Sequence, residues 1–233
     1  MDVDFTPFFE KYEALAQLAD QTFERVKNEH PDGVKCDNGC SDCCHALFDL
    51  SLIEALYINH QFNQHFDGQA KEQLISRANS IDRKIYKIKR QAHKDFESGK
   101  KKEIDILMDM ALKRARCPLL NVNDRCDLYN FRPITCRLYG IPIQIGNMSH
   151  TCNLSGFEEG GTYPSAKMDV IHQRLYAISL ELAIAVRSKY SKIAEMLVPV
   201  SMALLTDYND EYFGFRTQEE VEKKAKAAEG TDG

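Results

Sequence analysis

Four cysteines fall within nine residues, Cys36-Asp-Asn-Gly-Cys40-Ser-Asp-Cys43-Cys44, and four more follow at Cys117, Cys126, Cys136 and Cys152. Three chemistries compete for such a set. Disulfides persist in oxidising compartments, and nothing in this sequence directs export. Inert core thiols are common, because free cysteine is among the most buried residue types. The first four, however, sit in a polar stretch with no apolar stripe, so a hydrophobic role does not explain them. Metal binding does. Thiolates two or three residues apart can converge on one centre when a tight loop turns their Cβ vectors inward, as in structural zinc sites and iron–sulfur clusters. Gly39 precedes Cys40 where a positive φ costs least. The adjacent pair Cys43-Cys44 does not fit one small tetrahedral ion without strain. One of the two is expected to serve a second metal, a different iron of a larger cluster, or a supporting role.

The second set is spaced more widely, with eight residues between Cys117 and Cys126 and nine between Cys126 and Cys136. Asn121 to Asp124 reads as a turn that folds Cys117 and Cys126 back towards each other. Arg125, Arg132 and Arg137 each lie within four residues of a cysteine. Cations beside thiolates lower thiol pKa and offset the negative charge of a thiolate-rich site. Arg132 and Arg137 are therefore candidate cofactor-binding residues. Tyr129, Phe131 and Tyr139 are candidates for shielding the site from water. His45 directly follows the double cysteine, as a further ligand or as a hydrogen-bond donor that holds the loop around the metal. His150, two residues before Cys152, is a similar candidate.

The combined pattern resembles a known family. Cys-x₃-Cys-x₂-Cys-Cys, then Cys-Pro-Leu-Leu, then Arg-Cys-x-Leu-Tyr-x-x-Arg-Pro-x-x-Cys-Arg-x-Tyr, is similar to the cysteine-cluster family of zinc- or iron-chelating domains. The match runs through Cys36, Cys40, Cys43, Cys44, Cys117, Cys126, Tyr129, Arg132, Pro133, Cys136 and Arg137, over roughly residues 36–152. The cysteine region of flagellin lysine methylases resembles the same pattern, which implies a [4Fe-4S] cluster. Cys152 lies at the edge of the pattern as the eighth metal ligand.

Helices must carry these residues. Phe5, Phe8, Tyr12, Leu15, Ala19, Phe23 and Val26 recur at helical spacing, with Thr6-Pro7 suited to a first turn, and the segment stops before Pro31. Ser51-Leu-Ile-Glu54 has capping-box spacing and opens a second helix, which Gly68 is expected to close. A third is expected over about 69–98, and a short one through Ile104, Leu107, Ala111 and Ala115 delivers the chain to Cys117. Met168, Ile171, Leu175, Ile178, Leu182 and Val186 mark another long amphipathic helix. A last one is expected over 191–206, bent at Pro199. The only alternating apolar run, 140–146, is confined by Pro142 to a sheet edge or an irregular extension. The expected fold is mostly α, a helical bundle with an inserted irregular cysteine-rich metal-binding region. It forms one domain over 1–215 that contains the cysteine region 36–152, followed by a charged flexible tail over 216–233.

Composition narrows the class. The 233 residues carry a net charge of −5, which excludes a strongly basic nucleic-acid protein as a description of the whole chain. Residues 71–102, however, hold 11 Lys or Arg against four Asp or Glu, a basic helix that could meet an anionic surface. No apolar run approaches the ~20 residues that span a bilayer, and a cytoplasmic protein is expected. No phosphate-binding loop, His-Glu-x-x-His helix or Gly-x-Ser-x-Gly elbow appears, and no catalytic residue is identified. Two functions follow from the cysteines. The first is an iron–sulfur protein in redox or group-transfer chemistry, with a protein as one candidate substrate. The second is a zinc-binding structural or metal-handling module that presents a helical surface to a protein partner.

Overall fold

A computed structural model describes residues 3–37, 39–158 and 160–217. The architecture is mostly α. Helix α1 spans Thr6–Glu29, α2 Leu52–His65, α3 Gly68–Glu97, α4 Glu103–Ala111, α5 Ile134–Leu138, α6 Met168–Ala185, α7 Val200–Leu205 and α8 Asp210–Phe213. Short strands are β1 Asp49–Ser51, β2 Ile143–Ile145, β3 Met148–His150, β4 Ala166–Lys167 and β5 Leu197–Pro199. Among the described residues, no helix is long and apolar enough to cross a membrane.

Helix α1 forms where its apolar period predicts, burying Phe9, Tyr12, Leu15, Ala16, Ala19 and Val26. It ends where His30 donates to the Val26 carbonyl, ahead of Pro31. Helix α2 is the central one, buried without interruption from Leu52 to Asn59. Its predicted capping box is present, and the Ser179 hydroxyl of α6 accepts a further first-turn N–H, that of Ile53, at 3.2 Å. From the middle of α2 the Asn59 amide donates to the carbonyls of Ala203 and Thr206, which closes the last turn of α7.

Two apolar cores flank the cysteine region. One joins α1, α2, α5 and α6. The other gathers α2, α3 and α7 with Leu119 and Leu128. Cys36 packs against the first, Cys117 and Cys126 against the second, and Phe131 against both.

Several expectations need correction. Gly68 does not close α2; it opens α3, because the chain leaves the helix at Phe66 and Asp67 takes the N-cap. Helix α4 stops at Ala111, so Ala115 lies in the extended approach to Cys117. The single bent helix expected over 191–206 is instead a 3₁₀ turn, strand β5 and helix α7. Pro199 holds the residue before it extended, and the segment pairs antiparallel with β1, Leu50 opposite Val198. Strand β2 is the middle strand of the order β3-β2-β4 rather than an edge. Pro142 permits this because it precedes the paired residues and contributes only its carbonyl, which accepts from Ala166 N at 3.0 Å. Of the tail expected from 216 onward, residues 218–233 lie outside the described residues.

Candidate metal centre

The first cysteine loop is stitched directly to the second set. The Cys44 carbonyl accepts from Cys117 N at 2.7 Å, and the His45 carbonyl accepts from Ala115 N at 2.9 Å. Cys43 and Cys44 lie in a single 3₁₀ turn, Asp42–His45. The expected turn between Cys117 and Cys126 forms as predicted. Asn121 N donates to Arg125 O at 2.9 Å and Asp127 N to Leu119 O at 2.8 Å. The Asn121 side-chain oxygen accepts from Asn123 N and Arg125 N. Leu119, Leu120 and Leu128, each at most 2% exposed, anchor this hairpin, and burial of each such side chain contributes about 2 kcal/mol.

Helix α5 carries Cys136. Its first turn is fixed by Glu54, whose carboxyl accepts from Ile134 N at 3.1 Å while also completing the α2 capping box. Two distant segments of sequence thus share one buried carboxyl. Cys36 is placed by close backbone approach: its thiol donates to the Tyr139 carbonyl at 3.4 Å. Gly140 at φ +101 lies so near that a Cβ there would overlap the Cys36 sulfur. Cys152 lies on a loop that returns to the segment before Cys36, where Gly156 N donates to Gly33 O at 2.8 Å.

The result is one cavity of about 680 Å³ lined by all eight cysteines. None of them is in a disulfide. Burial raises most of these thiols in the metal-free chain. Cys36 is pushed up to about 11, first by loss of water and then by Cys40, Cys152 and Cys43. Cys117 is pushed up to about 12 and Cys126 to about 11, again by burial first, with Cys43 near both. Cys136 lies well above the ordinary thiol value through burial and then the nearby Cys43, Cys117 and Cys126. Cys43 is raised above all by its side-chain hydrogen bond with Cys44. Among the described residues, no group of three or more His, Cys, Asp or Glu side chains is arranged so that it could hold a metal ion without rearrangement.

Positive charge accompanies the thiols. Arg132 and Arg137 both line the cavity and both bind the Asp20 carboxylate of α1. Arg137 is buried and also donates to the carbonyls of Arg132 and Asn130, at 2.9 and 2.7 Å. The Arg132 guanidinium lies 4.3 Å from the centre of the Tyr129 ring and favours the thiolate forms of Cys43 and Cys126. His45 is not among the cavity-lining side chains. Its Nδ1 bonds the Ser41 carbonyl at 3.0 Å, which holds the turn that carries Cys43 and Cys44. His150 is exposed on β3, and Phe131 packs on the rings of Tyr57 and His65 rather than at the cavity.

The sequence left four contributors unnoticed. Asp42, inside the cysteine run, accepts from the Tyr139 hydroxyl at 2.9 Å, lies 3.5 Å from the Cys152 sulfur and pairs with Arg114. Burial works against its ionisation, but the Tyr139, Arg114 and Cys152 donors hold its pKa below the ordinary carboxylate value. Its place between two thiols was a readable signal. Glu54 was legible only as the capping partner of Ser51, and Asp20 and Arg114 gave no signal, because the partners that tie all three to the site are distant in sequence.

The donor chemistry fits a thiolate-bound metal: soft sulfur ligands suit zinc, copper(I) and iron–sulfur clusters. A family model described as "CxxCxxCC: Putative zinc- or iron-chelating domain" matches residues 35–153, just over half of the chain. Here the first spacer holds three residues, Asp37 to Gly39, rather than two. No curated protein and no solved structure matches the chain. With its eight thiols gathered on one cavity and its matching motif, the chain belongs to the CxxCxxCC family of zinc- or iron-chelating domains.

Proposed function

We propose that the chain holds an iron–sulfur cluster of the [4Fe-4S] type and serves redox or group-transfer chemistry. The observation that carries this reading is the convergence of eight unpaired thiols, drawn from 36 to 152, on one cavity. A [4Fe-4S] cluster, like a zinc ion, takes four thiolates, but its larger frame suits ligands drawn from distant segments of sequence. Bound there, a cluster supplies one-electron transfer or an iron that can take a substrate group. Cys43, Cys117, Cys126 and Cys136 are the four best placed to hold it, since each of the last three lies near Cys43. Arg132 offsets their charge, and the leucines of the 117–128 hairpin keep water from one side. Each thiol gives up its proton on ligation.

A second reading is a zinc-binding module that presents a helical surface to a partner. It draws on Ile104, Met108 and Leu112, exposed at four-residue steps along α4, beside the outward lysines and arginines of α3. Protein isolated under anaerobic conditions separates the two. Brown protein with broad absorbance near ~400 nm that bleaches on reduction is expected. Colourless protein with tightly held zinc contradicts the cluster and supports the second reading.

A further inference from the structure

Helix α3 leaves the body of the protein partway along its length. It buries Leu74, Ala78 and Ile85, and no residue of the helix after Ile85 is buried. Helix α4 folds back on this outer half, where Ile88 and Ala92 of α3 line a hollow of about 340 Å³ with Ile106 and Met110 of α4. Two rows of side chains are left outside. On α3, Arg83, Lys87, Arg90 and Lys94 recur at steps of four, three and four residues, so they share one exposed face. On α4, Ile104, Met108 and Leu112 follow at four-residue steps on the side turned away from Ile106 and Met110, and Leu112 is 77% exposed. Tyr86 and Phe96 of α3 are exposed as well.

The cations are not consumed within the fold. Among the described residues, the side chains of Lys84, Lys87, Arg90 and Lys94 make no hydrogen bond or ion pair, and Arg83 reaches only the Asn79 carbonyl, at 3.2 Å. The acids nearby have other partners. Asp109 pairs with Lys101, Glu97 lies 3.2 Å from His93 Nε2, and Asp95 takes the Gln91 amide at 2.9 Å. Glu103 and Asp105 stand in the first turn of α4, where the positive end of the helix attracts them. A nucleic acid would neutralise the α3 row but offers nothing apolar to the α4 row. An anionic bilayer answers both, because its headgroups attract Lys and Arg while its acyl boundary takes up exposed Ile, Met and Leu. We propose that the α3–α4 hairpin docks the protein peripherally on a membrane surface rich in anionic lipid. The α3 cations meet the headgroups, and Ile104, Met108 and Leu112 enter the interface. The docking is independent of which metal the cysteines hold.

The test is cosedimentation of the protein as isolated with vesicles of phosphatidylcholine, or of an equal mixture with phosphatidylglycerol. Binding is expected to the mixed vesicles only, and to weaken as salt is added. Lys87→Glu, Arg90→Glu is expected to weaken it by roughly tenfold or more. Ile104→Ser, Met108→Ser is expected to weaken it while leaving its salt dependence in place. The chain has no Trp, so Leu112→Trp supplies a sole fluorescent reporter on the α4 row. Its emission is expected to shift to the blue on mixed vesicles and to be quenched by lipids with brominated acyl chains. All substituted positions are exposed, and unchanged circular dichroism of each variant separates lost docking from lost folding. No binding to the mixed vesicles, equal binding to phosphatidylcholine alone, or binding that survives charge reversal overturns the proposal. So does binding without the blue shift, or a preference for duplex DNA over mixed vesicles at the same salt, which would assign the α3 row to nucleic acid.

Discussion

At the scale of residues, the site depends on close approaches that leave no room for substitution. Gly140 combines a positive φ with contact against the Cys36 sulfur. Gly140→Ala is expected to cost about 1–3 kcal/mol from backbone strain alone and to displace Cys36, read as a lower thermal midpoint and a loss of bound metal. The thiol pKa values carry their own signature. Because burial raises Cys36, Cys117 and Cys126 in the folded, metal-free chain to about 11 or 12, their protonated forms favour the folded state. That contribution is complete below the unfolded thiol value of about 8.5 and is lost as pH rises through about 11–12. Denaturation midpoints of the reduced, metal-free protein should therefore fall between pH 8 and 11. The metal-loaded protein, whose thiols have already lost their protons, should fall much less. Equal pH profiles for the two forms would contradict thiol ligation.

At the scale of elements, Glu54 is the joint on which the site turns. It closes the α2 capping box and holds the first turn of α5 through Ile134 N. Glu54→Ala leaves buried N–H groups unpaired and is expected to destabilise the fold by about 2–4 kcal/mol, with metal retention falling because Cys136 rides on α5. Chemical denaturation and metal analysis of the same sample check both. Much of this was legible beforehand. The Ser51–Glu54 spacing marked the start of α2, and Asn121 to Asp124 marked the turn that joins Cys117 to Cys126. The eight cysteines announced the site. What sequence could not supply was long-range pairing. The 191–206 segment has enough apolar residues for a helix, but Leu50 opposite Val198 in a β-pair overrides local propensity. Asp20 reads in sequence as any polar residue on α1, yet Arg132 and Arg137 bind its two oxygens. His45 shows the same limit at short range, since adjacency to Cys44 did not tell a ligand from a hydrogen bond to Ser41.

At the scale of the molecule, the two apolar cores and the cysteine region differ in what holds them. The cores rest on buried Leu, Ile and aromatic side chains of α1, α2, α3, α6 and α7. The 36–45 loop has few such residues and relies on backbone bonds to 115–117, and under the proposed function on ligation as well. Removing metal with a chelator should therefore raise amide exchange across 36–46 and 114–127 well before the centre of α2 responds. Uniform exchange across the chain would show that the metal supports the whole fold instead. Helix α3 adds a separate feature: Arg83, Lys84, Lys87, Arg90 and Lys94 point to solvent, while Lys89 is committed to Asp49 and Arg77 to Asp127. If this helix meets an anionic surface, as its sequence suggests, salt-sensitive binding to acidic vesicles is expected and a Lys84→Glu, Lys87→Glu variant loses it; no binding by the wild type would remove that expectation. Beneath all of these lies one claim, that Cys43 shares metal with thiols some 74 to 93 residues further along the chain. Native mass spectrometry of anaerobically isolated protein tests it most directly. A mass above that of the 26.6 kDa chain is expected, shed on acidification and absent when Cys117, Cys126 and Cys136 are all serine. A bare chain whose eight cysteines all alkylate at once under native conditions would contradict it.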